Sequence, residues 1–155
     1  IDEEPNAYAV FVGSGPMQEA TAERARALKI DEHVRVLGWR EDTVQLMQLA
    51  DLFVFPRTEE VTPDLGTEGL GLVVVEAQAA GLMSLLSLGI PEDAIVVSEI
   101  CERRTLRDGA SAWGAAARGL LTRPRPDRTR ALAAVESSSF SLEAGFRNLA
   151  SLHRL

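Results

Sequence analysis

Apolar positions fall in short runs separated by stretches in which they recur at helical spacing. Tyr8-Ala9-Val10-Phe11-Val12 is apolar and partly β-branched, and Gly13-Ser14-Gly15-Pro16 turns out of it into a polar, alanine-rich stretch to about Lys29. That order predicts strand, turn and helix. Val34 to Gly38 predicts a second strand, and Val44, Leu46, Met47 and Leu49 a short helix starting near Asp42 or Thr43. Leu52-Phe53-Val54-Phe55 is almost wholly apolar, the mark of a strand covered on both faces, and Pro56 ends it.

A loop then runs from Arg57 to about Thr67, with Pro63 and Gly66 inside it; a connection this long is functional or mobile. Gly69-Leu70-Gly71 leads into an apolar, alanine-rich helix ending at Gly81. Met83 to Leu88 and Ile95 to Val97 predict two more strands, with Gly89-Ile90-Pro91-Glu92 as the turn between them. From about Ser111 the chain predicts helices: Ala112 to Leu121, then Arg128 to Val135 after the Pro124-Arg125-Pro126-Asp127 turn, with Asp127 placed as the cap. In a last helix Leu142, Phe146, Leu149, Leu152 and Leu155 form an apolar stripe. Alternating strands and helices predict one α/β domain over 1–155, a Rossmann-like parallel sheet with helices on both faces.

Composition narrows the function. The 155 residues are 46% hydrophobic with a formal net charge of -7, which supports a packed core and argues against nucleic acid as the main partner. Any phosphate must be held locally. The lone Cys101 forms no internal disulfide, and no Cys/His cluster announces zinc, which fits a reducing cytoplasm. No apolar run reaches the ~18–20 residues of a membrane span, and Ile1-Asp2-Glu3-Glu4-Pro5 lacks a signal-peptide layout. A strand-like run reached by Tyr8, with no capping element ahead of it, suggests an excised piece or a chain missing its upstream partner.

Two places suit chemistry. The Gly13–Pro16 turn lies where a strand enters a helix, a position in which backbone N–H groups and the helix dipole face an anion. Gln18 occupies the place of a third glycine, so a dinucleotide fingerprint is poorly matched and a plain tight turn is an equal alternative. In Glu68-Gly69-Leu70-Gly71-Leu72-Val73-Val74-Val75-Glu76-Ala77-Gln78-Ala79-Ala80-Gly81, two carboxylates stand eight positions apart around a glycine-flexed helix start. Glu68 falls at the positive end of the helix and Glu76 within it, while the amides near Gly71 and Leu72 are free to meet a phosphate. Alone, Glu68 serves the helix dipole equally well. Glu76 has apolar neighbours on both sides and is expected to be buried and in need of a partner.

This segment resembles the Glu-x7-Glu motif of retaining GT-B glycosyltransferases. Phe11–Pro16, Val34–Trp39, Ala50–Pro56, Ala77–Gly81 and Gly89–Glu92 resemble successive landmarks of family 4 in order, over nearly the whole chain, most like bacterial exopolysaccharide or capsule members. The resemblance implies the donor-binding C-terminal half of a GT-B enzyme, with the N-terminal acceptor domain absent from this chain. It implies a hexosyl-type transfer from a UDP- or GDP-linked sugar to a saccharide or lipid-linked acceptor, with retention, in the cytoplasm or at the inner membrane face. Glu76 then accepts hydrogen bonds from the ribose diol, since a carboxylate only accepts and the diol donates. Glu68 contacts donor-sugar hydroxyls as the catalytic candidate. Gly69, Leu70, Gly71 and Leu72 hold sugar and diphosphate, Gly13 and Gly15 lie near the phosphates, and Gly38, Trp39 and Arg40 lie near the base. Preorganised donors at the leaving group then matter more than a general base.

The chain departs from that pattern in several places. The family spacing from Pro56 selects Glu60, yet only Glu68 is followed by Gly-Leu-Gly, so Glu68 is preferred with an enlarged loop. Met83 and Leu88 stand where Pro and a small or acidic residue are usual. The basic pair that neutralises the diphosphate belongs upstream of Tyr8, and no Asp-x-Asp occurs, so no cofactor or metal is expected. The chain alone is expected to be inactive, with its last helix meeting the N-terminal half or self-associating. A stand-alone nucleotide-sugar-binding module and an interaction domain are the alternatives. Outside the motif, His33 and His153 are expected at the surface, Cys101 inert, and Trp39 as readily packed as stacked on a base.

Overall fold

A computed structural model describes residues 4–58 and 70–152. The chain divides into two compact units, Ile1–Thr43 and Val44–Leu155. The first holds β1 (Ala9–Val12), α1 (Gln18–Ala27) and β2 (Val34–Gly38). β1 and β2 pair in parallel from Ala9 opposite Val34 to Val12 opposite Gly38, with a register shift between Phe11 and Val12. Gly13 extends the ladder by donating to the Gly38 carbonyl at 2.8 Å. Gly38 has φ 68°, and a Cβ there would stand 3.0 Å from Gln18 Nε2, so the strand exit requires glycine. All of β1 is exposed, and Ala25 is the single buried residue among the described residues of this unit.

The second unit contains α2, which starts at the boundary (Thr43–Leu49), then β3 (Phe53–Phe55), α3 (Leu72–Ala79) and β4 (Ser84–Ser87). It continues with β5 (Cys101–Arg104), α4 (Gly109–Leu121), α5 (Arg128–Glu136) and α6 (Leu142–Leu152). Its sheet has the order β3-β4-β5, all parallel, and all four residues of the central β4 are buried. Val74, Val75, Leu85, Leu86, Ile90, Trp113 and Leu120 lie in one apolar core. Gly81 ends the α3 turn with φ 66°, and a Cβ there would meet Arg128 Cγ at 2.8 Å and Arg128 Cα at 2.9 Å, because α5 packs directly on it. Asp127 caps α5 as expected, accepting from the Thr129 and Arg130 amides at 2.9 and 3.2 Å. Arg125 pairs with Asp51, and Arg128 Nη2 donates to the Gln48 carbonyl at 2.7 Å, tying the start of α5 to the residues before β3.

One predicted strand is corrected. Ile95–Val97 joins no strand; short 3-10 turns flank it at Glu92–Ala94 and Ser98–Ile100, and the third strand of the sheet is Cys101–Arg104. The expected apolar stripe on the last helix is exposed at Leu142, Phe146, Leu149 and Leu152. Among the described residues, no helix is long and apolar enough to cross a membrane.

Candidate functional site

The first unit presents the glycine turn. Gly13, with φ 129°, and Gly15 are exposed, and nothing lies within 4 Å of a Cβ built on either. α1 begins two residues after Pro16, and its N-cap residue Met17 makes no side-chain cap hydrogen bond to the first amides. A cavity of about 320 Å³ opens over this turn, bounded by Phe11, Gln18, Thr21 and Val36 as well as the turn itself. At the end of β2, Trp39 is 68% exposed and its indole is open rather than packed. Arg40 makes a two-pronged pair with Asp42, Nε to Oδ1 at 2.7 Å and Nη2 to Oδ2 at 2.6 Å. That hydrogen bond holds the Asp42 carboxyl below its ordinary range and raises the Arg40 guanidinium. His33 is partly exposed, its ring stacked on Tyr8 at 5.1 Å and its Nδ1 3.0 Å from the Ala7 carbonyl.

In the second unit, Gly71 opens α3 in the left-handed region (φ 72°, ψ 54°) with no side-chain cap, and the Val74 amide donates back to the Gly71 carbonyl at 2.8 Å. A residue with Cβ is strained there, which accounts for the glycine before Leu72. Because α3 links the parallel strands β3 and β4, it starts at the C-terminal end of the sheet, where open α/β sheets bind ligands. Gly71 is buried, Leu70 half-buried and Leu72 60% exposed. Glu76 is exposed, against the expectation of burial. Its immediate neighbours point away from it on a helix; the residue one turn before is Leu72, also exposed, so the two share a solvent face. Glu68, Gly69 and Glu60 lie outside the described residues, as do most of the enlarged loop and His153.

The opposite face of α3 carries a residue that sequence reasoning passed over. Gln78 is fully buried, its Nε2 donating to the carbonyls of Val74 at 3.0 Å and Ala94 at 2.7 Å. Its Oε1 accepts from the amides of Val96 and Val97, both at 2.8 Å. The signal was present: a glutamine in an apolar helix must find partners. Met83 is buried and Leu88 is exposed at the ends of β4. Burial raises the Cys101 thiol, with nearby Glu99 adding to the effect against a hydrogen bond to Ser84, up to about 11, in keeping with an inert cysteine. Two cavities of about 230 and 390 Å³ lie at the other end of the sheet, near Met83 and Arg123, away from the start of α3. Among the described residues, no group of three His, Cys, Asp or Glu is placed to hold a metal ion.

Residues 1–97 match the family model of glycosyl transferases group 1. The putative glycosyltransferase EpsF of Bacillus subtilis is 32% identical over 119 residues, covering 77% of this chain and 29% of that protein. A phosphatidyl-myo-inositol mannosyltransferase of Mycobacterium tuberculosis is 33% identical over 108 residues, 68% of this chain and 23% of that one. The chain thus spans less than a third of these curated relatives. Among solved structures, WaaG, a glycosyltransferase involved in lipopolysaccharide biosynthesis, superposes with a TM-score of 0.70 at 20% identity, over 87% of this chain and 35% of WaaG. Anabaena HepE in complex with UDP gives 0.70 at 20% identity, over 97% of this chain and 42% of HepE. The parallel, helix-flanked fold is that of these GT-B enzymes.

Proposed function

We propose that this chain, which belongs to the glycosyl transferases group 1 family, is the nucleotide-sugar-binding part of a retaining hexosyltransferase. The observation that carries the proposal is the left-handed, uncapped start of α3 at the C-terminal end of the sheet, with Glu76 exposed on the solvent face of the same helix. A helix N-terminus without a side-chain cap accepts an anion, and an exposed carboxylate accepts from a vicinal diol; a nucleoside diphosphate presents both groups. HepE was solved with UDP and with UDP-glucose, and a Corynebacterium glutamicum relative is named as GDP-mannose-dependent, which supports a nucleotide-sugar donor.

In this reading Glu76 binds the ribose, the amides of Leu70, Gly71 and Leu72 and the Gly13–Gly15 turn serve the diphosphate, and Gly38, Trp39 and Arg40 serve the base. Glu68 and Gly69 serve the donor sugar. The acceptor, a saccharide or lipid-linked glycan at the cytoplasmic side, and the basic pair that neutralises the leaving diphosphate belong to an N-terminal half outside these 155 residues. The exposed α6 stripe is the surface offered to that half, or to a second copy in its absence.

Calorimetry in EDTA tests the proposal. UDP or GDP is expected to bind modestly without metal, and Glu76→Gln to weaken that binding by roughly one to two orders of magnitude, the value of a charge-assisted hydrogen bond. Absence of binding by either diphosphate at millimolar concentration would defeat it. Glu68→Gln is expected to affect nucleotide-sugar binding alone; the same selective loss in Glu60→Gln instead would move that role to Glu60. Without its N-terminal half the chain is expected to transfer no sugar, and glycoside formation by the purified chain would contradict this.

A further inference from the structure

The segment from Leu88 to Val97 leaves the C-terminal end of β4, beside the start of α3; the Leu88 amide donates to the Arg104 carbonyl of β5 at 3.1 Å, and beyond it, among the described residues, no strand pairs with the segment. Two side chains hold its backbone instead. At its near end Arg103 of β5 donates from Nη2 to the carbonyls of Ile90 at 2.7 Å and Leu88 at 3.2 Å, and from Nη1 to Glu92 Oε1 at 2.9 Å. At its far end the Gln78 carboxamide uses both N–H groups and both oxygen lone pairs, on Val74, Ala94, Val96 and Val97. The amide of one glutamine therefore stands where the ladder of a strand neighbour would be.

Gln78 lies two positions after Glu76, a rotation of roughly 200° about the helix axis, so one side chain is anchored behind the helix and the other faces solvent. Apart from the close packing of α5 at its Gly81 end, the helix has few directional ties among the described residues. It is eight residues long, starts without a side-chain cap and includes Val73, Val74 and Val75, whose β-branched side chains are mediocre helix formers. Apolar contacts of Val74, Val75 and Ala77 favour burial of that face, but such contacts are non-directional and resist sliding or rotation weakly. Four hydrogen bonds converging on one planar group do resist both.

We infer that Gln78 is a positioning residue that fixes the rotation and axial setting of α3 against the 88–97 segment, and so sets where Glu76 and the first amides of the helix stand. The inference rests on the donor-binding reading of Glu76. Binding groups must be held to about half an ångström, and a buried side chain with four fixed partners supplies that constraint.

The test uses the 155-residue chain with Gln78→Met, which fills the space without the bonds, beside Leu120→Ala, a core change on α4. Amide exchange and the affinity for UDP and GDP are measured under conditions where circular dichroism shows all proteins folded. Gln78→Met is expected to lose about tenfold protection at Leu72 to Glu76 and about tenfold in affinity for the diphosphate that wild type binds. Leu120→Ala is expected to lower the melting temperature while leaving both readouts within about twofold. Wild-type binding with undiminished affinity in Gln78→Met overturns the positioning role and leaves the donor-binding reading standing. Failure of wild type to bind either diphosphate defeats the donor-binding reading; the exchange data then decide the anchoring of α3, which unchanged protection in Gln78→Met overturns. Should Gln78→Met not fold, Gln78→Glu carries the test. Its carboxylate accepts from Val96 and Val97 but donates to Val74 or Ala94 only when protonated, so protection of α3 is expected to rise as pH falls from about 8 to 5. A flat profile counts against the inference.

Discussion

β1 and β4 are both four-residue strands in parallel sheets, yet every residue of β1 is exposed and every residue of β4 is buried. By sequence β1 is the more apolar: Ala-Val-Phe-Val against Ser-Leu-Leu-Ser. Apolarity therefore did not decide burial; position in the sheet did. β4 lies between two strands and contributes Leu85 and Leu86 to the core of the second unit, whereas among the described residues β1 pairs only with β2, in a unit that includes one buried alanine. Stability resides in the second unit, and the first contributes the glycine turn with its cavity.

The largest effects sharpen this contrast. Leu86→Ala is expected to cost about 2–5 kcal/mol in urea unfolding, and Phe11→Ala, about half exposed, about 1 kcal/mol or less. Equal losses would show that the first unit has a core of its own. Next come two glycines. Gly81→Ala combines a left-handed φ with a contact on the Arg128 backbone and is expected to cost about 1–3 kcal/mol, while Gly15→Ala, with open space around it, should lie within about 0.5 kcal/mol. A thermal shift for Gly15→Ala as large as for Gly81→Ala would break the assignment.

Asp127→Ala removes the cap of α5 and is expected to cost about 1 kcal/mol by chemical denaturation; no change would mean the Thr129 and Arg130 amides find other partners. The smallest effect concerns Cys101, raised from its ordinary 9.0 up to about 11. Because the folded state favours the neutral thiol, this contribution to stability is complete below pH 9 and is lost as pH rises to about 11. Labelling by iodoacetamide at pH 8 should be about tenfold slower in the native chain than in urea. Equal rates would mean the thiol is not shielded.

The strands up to β4 and the helices were legible in the sequence because apolar runs and turn residues coincide, as at Phe53–Pro56 and Gly81. β5 was not. Cys-Glu-Arg-Arg is polar and half-buried, a composition an outer strand tolerates, while the β-branched Ile95-Val96-Val97 has the look of a strand and is tied down by Gln78 instead. At the candidate site, Gly71 was legible because helix starts of this kind require glycine. The exposure of Glu76 was not, because chain neighbours on a helix are not spatial neighbours; the relevant neighbour is Leu72, one turn away.

The ties from Arg125 to Asp51 and from Arg128 to the Gln48 carbonyl join residues 74 and 80 positions apart. For a chain emerging from a ribosome, that distance is a delay. At about 5–20 residues per second, roughly 4–15 s separate the synthesis of Asp51 from that of Arg125. Throughout that interval the residues before β3 lack their partners, although β3 and β4 already have each other. Closing so long a loop adds little entropic cost beyond closing one half as long, about 0.6 kcal/mol. The order of assembly is therefore set by synthesis: the Arg123–Arg130 segment arrives only after β3 and β4 and joins a sheet begun some seventy residues earlier.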